Sequence, residues 1–127
     1  MQTLVLTVAG VYGTLAIVLG AFGAHALKKI LPEEKLSSFE VGVRYQMYAA
    51  LALLITGYHL NFDLAGARWA FYGLSIGTLL FSGSIYLLSL AAYWKVRLRF
   101  LGPITPIGGL LMIIGWISLM VSFLTNS

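Results

Sequence analysis

Long apolar stretches separated by short polar ones divide the chain into four, at residues 4–27, 40–60, 67–93 and 105–124. A helix needs about 20 mostly apolar residues to cross a bilayer core of about 30 Å. Each stretch meets that length. The pattern predicts an all-α fold, an integral membrane four-helix bundle formed as one domain over residues 1–127. The first stretch carries no charge until Lys28 and Lys29 close it. Ala24-His25-Ala26 resembles a signal-cleavage site, but no basic residue precedes the apolar run and the run is too long for a signal core. It is expected to be retained.

The joints carry their own markers. Ile30 to Ser38 reads as a short amphipathic connection, with Pro32 suited to a first turn and Glu33 and Glu34 suited to a helix N-terminus. Ser37-Ser38-Phe39-Glu40 has capping-box spacing, with Leu36 and Val41 placed as a hydrophobic staple, which predicts the start of the second helix there. Asn61-Phe62-Asp63 is a polar turn, and Arg68-Trp69 marks re-entry at an interface. The third stretch is long enough to be tilted. Gly102-Pro103-Ile104-Thr105-Pro106 is the next turn, with Thr105 as cap and Pro106 as the first helical residue.

Composition narrows the class. With 60% apolar and 9% charged residues and a mean hydropathy of +0.93, the chain is far from a soluble domain, which carries about 25% charge. The absence of cysteine excludes disulfides and thiolate metal sites. The net charge of +4 comes from basic residues beside apolar runs, where they set orientation and meet anionic lipid rather than nucleic acid. Lys28, Lys29, Lys35 and Arg44 lie by the first connection and Lys95, Arg97 and Arg99 by the third, leaving Arg68 by the second. The positive-inside rule then puts the first and third connections in the cytoplasm and both termini outside.

In that topology His25, Glu40, Arg44, Tyr45, Gln46, Tyr93 and Thr105 fall near the cytoplasmic ends of their helices. Ionisable groups near membrane depth are costly and usually have partners. Glu40 and Arg44 are spaced to pair along one helix face, and His25 could meet Glu40, Tyr45 or Gln46 across the gap between helices. A structural role accounts for the same residues: Glu40 caps, Arg44 snorkels, Tyr45 and Tyr48 anchor at the interface, and His25 makes one locking hydrogen bond. His25 and His59 close opposite ends of neighbouring helices, so a bilayer core of about 30 Å separates them. That separation argues against a haem bridged by both within one subunit; a single-histidine or intersubunit site stays open without support, and no metal or cofactor is predicted.

Small residues outnumber chemical ones. Ala16, Gly20 and Ala24 recur every fourth residue with Gly23 beside them, and Gly73 with Gly77 forms a second such pair. Together with Ser82, Gly83 and Ser84 they read as close-packing positions, the serine hydroxyls bonded to carbonyls one turn back, rather than as a solute path. No phosphate loop, dinucleotide fingerprint, zinc pair or serine elbow is present, which points away from an enzyme.

Gly20-Ala21-Phe22-Gly23-Ala24-His25, Tyr45-Gln46-Met47-Tyr48, Leu80-Phe81-Ser82-Gly83-Ser84-Ile85-Tyr86 and Thr105-Pro106-Ile107-Gly108-Gly109 followed by Gly115-Trp116 resemble the family called domain of unknown function number 423. The resemblance runs over nearly the whole chain. It implies a small four-helix protein of the bacterial cytoplasmic membrane with no assigned activity. The family typically has a histidine after the Tyr-Gln-x-aromatic run, where this chain has Ala49, so the resemblance lends nothing to a two-histidine mechanism. The expected role is structural: packing with itself, with membrane lipids or with another membrane protein in support of the envelope. The alternatives are a small-solute or proton pathway formed by a homo-oligomer, and a lipid or quinone headgroup site at the cytoplasmic polar cluster.

Overall fold

A computed structural model describes residues 1–125 as four antiparallel helices. Helix α1 covers Gln2–Leu27, α2 Glu33–His59, α3 Ala65–Trp94 and α4 Ile104–Thr125. A 3₁₀ turn at Arg99–Leu101 precedes α4. In sequence order each helix packs on the next, and α4 meets α2 at only a few positions. The chain thus folds as two helix pairs joined through α2 and α3.

Two helix starts differ from the sequence expectation. Helix α2 begins at Glu33, so Ser37 and Ser38 lie inside it and no side-chain cap forms. Pro32 is extended at φ −59° and ψ 155° and ends the connection, while Glu33 and Glu34 in the first turn complement the helix dipole. Nothing then stops the helix before the membrane. Helix α4 begins at Ile104, which places Thr105 and Pro106 within its first turn. Proline costs no hydrogen bond there, because first-turn N–H groups have no intrahelical acceptor. The Thr105 hydroxyl is left to bond Ser84 of α3 instead.

The other joints have clear local causes. After α2, Leu60 turns extended, and the Asp63 N–H donates to the Asn61 side-chain oxygen at 3.0 Å. Helix α3 stops where Lys95 takes the left-handed conformation at φ 58°. Within α1, residues Val18–Gly23 are π-helical, which changes the register of the small residues. Ala16 is fully buried; a Cβ on Gly20 would lie 3.1 Å from the Val43 side chain, and one on Gly23 3.7 Å from the Phe39 ring. Ala24 is half-buried. The regular four-residue stripe of Ala16, Gly20 and Ala24 therefore does not run straight along α1.

Helices α3 and α4 are held by a backbone-to-backbone seam. An added Cβ on Gly73 would come within 2.7 Å of the Gly115 backbone, and one on Gly77 within 2.7 Å of the Met112 backbone nitrogen. A Cβ on Gly108 would collide with the backbone of Phe81. Such close approach is how helices associate in lipid, where apolar side chains gain nothing by leaving the tails. Gly83 is not part of the seam, because nothing lies within 4 Å of the position its Cβ would take. Continuous with the Gly73 end of the seam, Val5, Ala9, Ala52, Leu53, Ala70, Phe71, Leu74 and Leu119 form a buried apolar core.

Three of the four helical stretches are long and apolar enough to cross a membrane: Gln2–Leu27, Ala65–Trp94 and Arg99–Thr125. Helix α2 is long enough at 27 residues but is the least apolar. Its alignment with α1 explains why. The Gln2 amide reaches the Gly57 carbonyl at one end, and Gly23 lies against Phe39 at the other, so α2 lies beside nearly the full length of α1. It is also the helix that buries Gln46 and Thr56. Lipid meets the other faces, where Leu15, Phe22, Leu51, Ile55, Leu79, Leu110 and Ile113 are exposed.

The seam predicts opposite outcomes for two chemically identical changes. Gly108→Ala must separate α3 from α4 and should destabilise the bundle by about 1–3 kcal/mol, as overpacking does. Gly83→Ala should leave the melting temperature within error or raise it. Thermal unfolding in one detergent decides this, and equal behaviour of the two variants would contradict the seam.

Candidate functional site

The polar residues singled out by the sequence near the Lys28 end of the helices do not form one site. His25 lies just past the π-helical segment and is exposed; Glu40 and Arg44 are exposed on α2. None of the three has a hydrogen bond or ion pair among the described residues. Tyr45 and Tyr93 are also exposed, Tyr45 stacking on Phe81 at 5.0 Å between ring centroids. Thr105 pairs with Ser84. Gln46 alone turns inward, at 5% exposure. Helix geometry separates these neighbours: two residues of an α-helix differ by about 200° in direction, so Arg44 and Gln46 face opposite ways. Gln46 shares its face with Gly42, Ala49 and Leu53, all buried.

Gln46 joins three helices. Its Nε2 donates to the Tyr12 carbonyl of α1 at 2.8 Å, and its Oε1 accepts from the Tyr86 hydroxyl of α3 at 2.7 Å. The Tyr12 hydroxyl in turn donates to the Ser75 carbonyl of α3 at 2.6 Å. Ser82 on α3 donates to the Gly42 carbonyl of α2 at 2.7 Å. The missing side chain of Gly42 admits the Tyr86 ring, since a Cβ there would sit 2.7 Å from its Cε1. Phe39 packs on the same ring at 4.9 Å. Four side-chain hydrogen bonds thus join α1, α2 and α3 here.

The serines do more than sequence reasoning allowed. Ser75 bonds the Phe71 carbonyl one turn back, and Ser84 bonds Phe81 within its own helix. Ser82 instead reaches across to α2. Three further buried hydroxyls, on Thr78, Ser89 and Ser122, have no hydrogen-bond partner among the described residues. The Gln46 clasp was not foreseen as a three-helix contact. Its trace in the sequence is a polar residue on the face set by Gly42, Ala49 and Leu53, with Tyr12 near the middle of one neighbouring span and Tyr86 in the last third of the other.

The chemistry available is limited. Asp, Glu, His, Lys and Arg take no part in the clasp, so it offers no acid–base pair at neutral pH. Among the described residues no group of three or more histidine, cysteine, aspartate or glutamate side chains is placed to hold a metal ion. His59 ends α2 at the end of the bundle opposite His25, exposed and 6.2 Å from the Phe123 ring. The two histidines lie at opposite ends of the bundle.

Comparison with known proteins agrees with the architecture and names no activity. The model of a family described as "Protein of unknown function (DUF423)" matches residues 19–109. A UPF0382 membrane protein of Staphylococcus haemolyticus is 45% identical over 103 residues, covering 81% of this chain and 80% of that protein. The UPF0382 membrane protein YwdK of Bacillus subtilis is 40% identical, covering 85% of each chain. A UPF0382 membrane protein of Schizosaccharomyces pombe is 38% identical, covering 90% of this chain and 96% of its own. No solved structure matches the chain.

The clasp predicts coupling between two residues on different helices. Gln46→Leu leaves the Tyr86 hydroxyl without an acceptor and should cost about 1–3 kcal/mol. Tyr86→Phe should cost about 1 kcal/mol. The double variant should be less destabilised than the sum, with a coupling of about 0.6–1.7 kcal/mol. A double-mutant cycle of unfolding in micelles measures it. Strict additivity would show that the two side chains do not bond.

Proposed function

The chain belongs to the family described as protein of unknown function (DUF423), and from that premise we propose that it is a non-enzymatic, multi-pass protein of the cytoplasmic membrane whose role is helix and lipid packing in the envelope. The observation that carries this reading is the state of Gln46. Gln46 has both amide atoms bonded to neighbouring helices, through Tyr12 and Tyr86, and at 5% exposure it is turned away from any open path. Interior polar groups that serve transport line a cavity or a wet path. Here Gln46, Tyr12, Tyr86 and Ser82 join helices.

The proposed orientation places the first and third connections in the cytoplasm. Support comes from charge: Lys28, Lys29, Lys35, Arg44, Lys95, Arg97 and Arg99 gather at that end of the antiparallel bundle. At the other end Arg68 donates to the Phe62 carbonyl at 2.8 Å. Basic residues beside an anionic leaflet contribute about 1 kcal/mol each. Membrane lipids are thus the first partners, with a second copy or another membrane protein on the exposed helix faces.

Two measurements test the proposal. Because the chain has no cysteine, Ser37→Cys and Asn61→Cys give single labels in the two connections. Asn61→Cys should react with an impermeant maleimide in intact cells and Ser37→Cys only after permeabilisation; the reverse pattern would invert the topology. Proteoliposomes should leak protons and potassium no faster than empty vesicles, whereas a flux abolished by Gln46→Leu would replace packing with transport.

A further inference from the structure

Because α4 meets α2 at only a few positions, a groove of about 680 Å³ opens between them over α3. Its walls include Tyr45 and Tyr48 of α2, Phe81 of α3, and Pro106, Gly109 and Trp116 of α4. No charged side chain lines it. The size lies within the range of about 300–1,000 Å³ typical of small-molecule sites.

The depth of two of these residues is unusual. Tyr and Trp favour the interfaces of a bilayer, where their polar tips reach water or headgroups. Ala50 of α2 lies against Gly13 of α1, at the middle of a 26-residue helix, and Tyr48 is two residues away. Trp116 is near the middle of α4, beside the contact of Gly115 with Gly73. At 1.5 Å per residue Tyr48 lies within about 5 Å of the middle of α1 and Trp116 about 6 Å from the middle of the Arg99–Thr125 stretch. Both are exposed, at 50% for Tyr48 and 47% for Trp116. Neither the Tyr48 hydroxyl nor the Trp116 Nε1 has an acceptor among the described residues.

Two donors facing hydrocarbon without acceptors cost free energy that an occupant can recover. A phospholipid tail fills the groove but supplies no acceptor, since its ester carbonyls lie at the edge of the core, about 15 Å from mid-depth. The helices of a second copy have their backbone carbonyls engaged internally. The occupant that fits is neutral, bears carbonyl oxygens on a flat ring able to stack against Tyr45, Phe81 and Trp116, and trails a long apolar tail. We propose that this groove binds an isoprenoid quinone, with the ring carbonyls accepting from Tyr48 and Trp116. The site lies near mid-depth on the lipid-facing surface, away from exposed His25 and Glu40, and it stands whether or not the protein acts by packing.

The test reads Trp116 directly. Of the three tryptophans, Trp69 and Trp94 are exposed, so Trp69→Phe/Trp94→Phe leaves Trp116 as the sole indole. In nanodiscs, a short-tailed menaquinone should quench its fluorescence saturably at low mole fraction. Gly109→Leu in that background should abolish the saturable phase, because its Cβ meets only the Phe81 ring, at 3.5 Å, and the side chain fills the groove. Tyr48→Phe keeps the ring and the packing and should weaken binding about fivefold, the loss of one hydrogen bond; it decides the matter should Gly109→Leu fail to fold. Quenching that rises linearly and is the same in both variants would overturn the site, as would native mass spectra in which Gly109→Leu lowers the subunit number while quinone binding is absent.

Discussion

A side-chain amide left unpaired in hydrocarbon costs several kcal/mol, and no water is present to relieve it. Gln46 must therefore find partners before α2 can rest at membrane depth, and it finds them on both sides. Satisfying both ends of one amide fixes the rotation of α2 about its own axis. Gly42 then faces Tyr86, Ala49 and Leu53 turn to the interior, and Glu40 and Arg44 are sent to the outside. The exposed position of the ionisable residues is thus a consequence of where the neutral amide has to point.

The second half of the bundle rests on different physics. Helices α3 and α4 share a seam of glycines close enough for backbone contact, with one hydroxyl pair, Ser84 with Thr105, at its end. Dispersion over close backbones is strong only when the surfaces stay in register. Helix α3 belongs to both systems, accepting from Tyr12, donating to Gln46 through Tyr86 and presenting the glycine seam to α4. That division leaves α2 and α4 without a reason to meet, and the aromatic groove between them is the result.

Much of this was legible in the sequence. Four helices, their order and the gathering of basic residues at one end follow from apolar run length and loop charge, since the bilayer sets both. The glycine pair of Gly73 and Gly77 was legible because lipid leaves few reasons for such residues. The start of α2 was not, because Ser37-Ser38-Phe39-Glu40 has the right spacing for a cap while Pro32 and the two glutamates supply an earlier start. Nor was the fate of Gly83, whose neighbours Ser82 and Ser84 are buried while it faces open space. The polar cluster failed for a related reason. Sequence places His25, Glu40, Arg44 and Gln46 at similar depth, but depth says nothing of direction around a helix, and the π-helical segment of α1 shifts that direction again.

The central claim is that α2, the least apolar of the four, lies inside the bilayer with its polar groups consumed by its neighbours. Hydrogen–deuterium exchange of the unmodified chain in nanodiscs tests this most directly. Amides of residues 42–57 should resist exchange for hours, as those of residues 73–82 in α3 do. Exchange of 42–57 as fast as that of the connection at residues 60–64 would mean that water reaches the helix, and the account would be wrong.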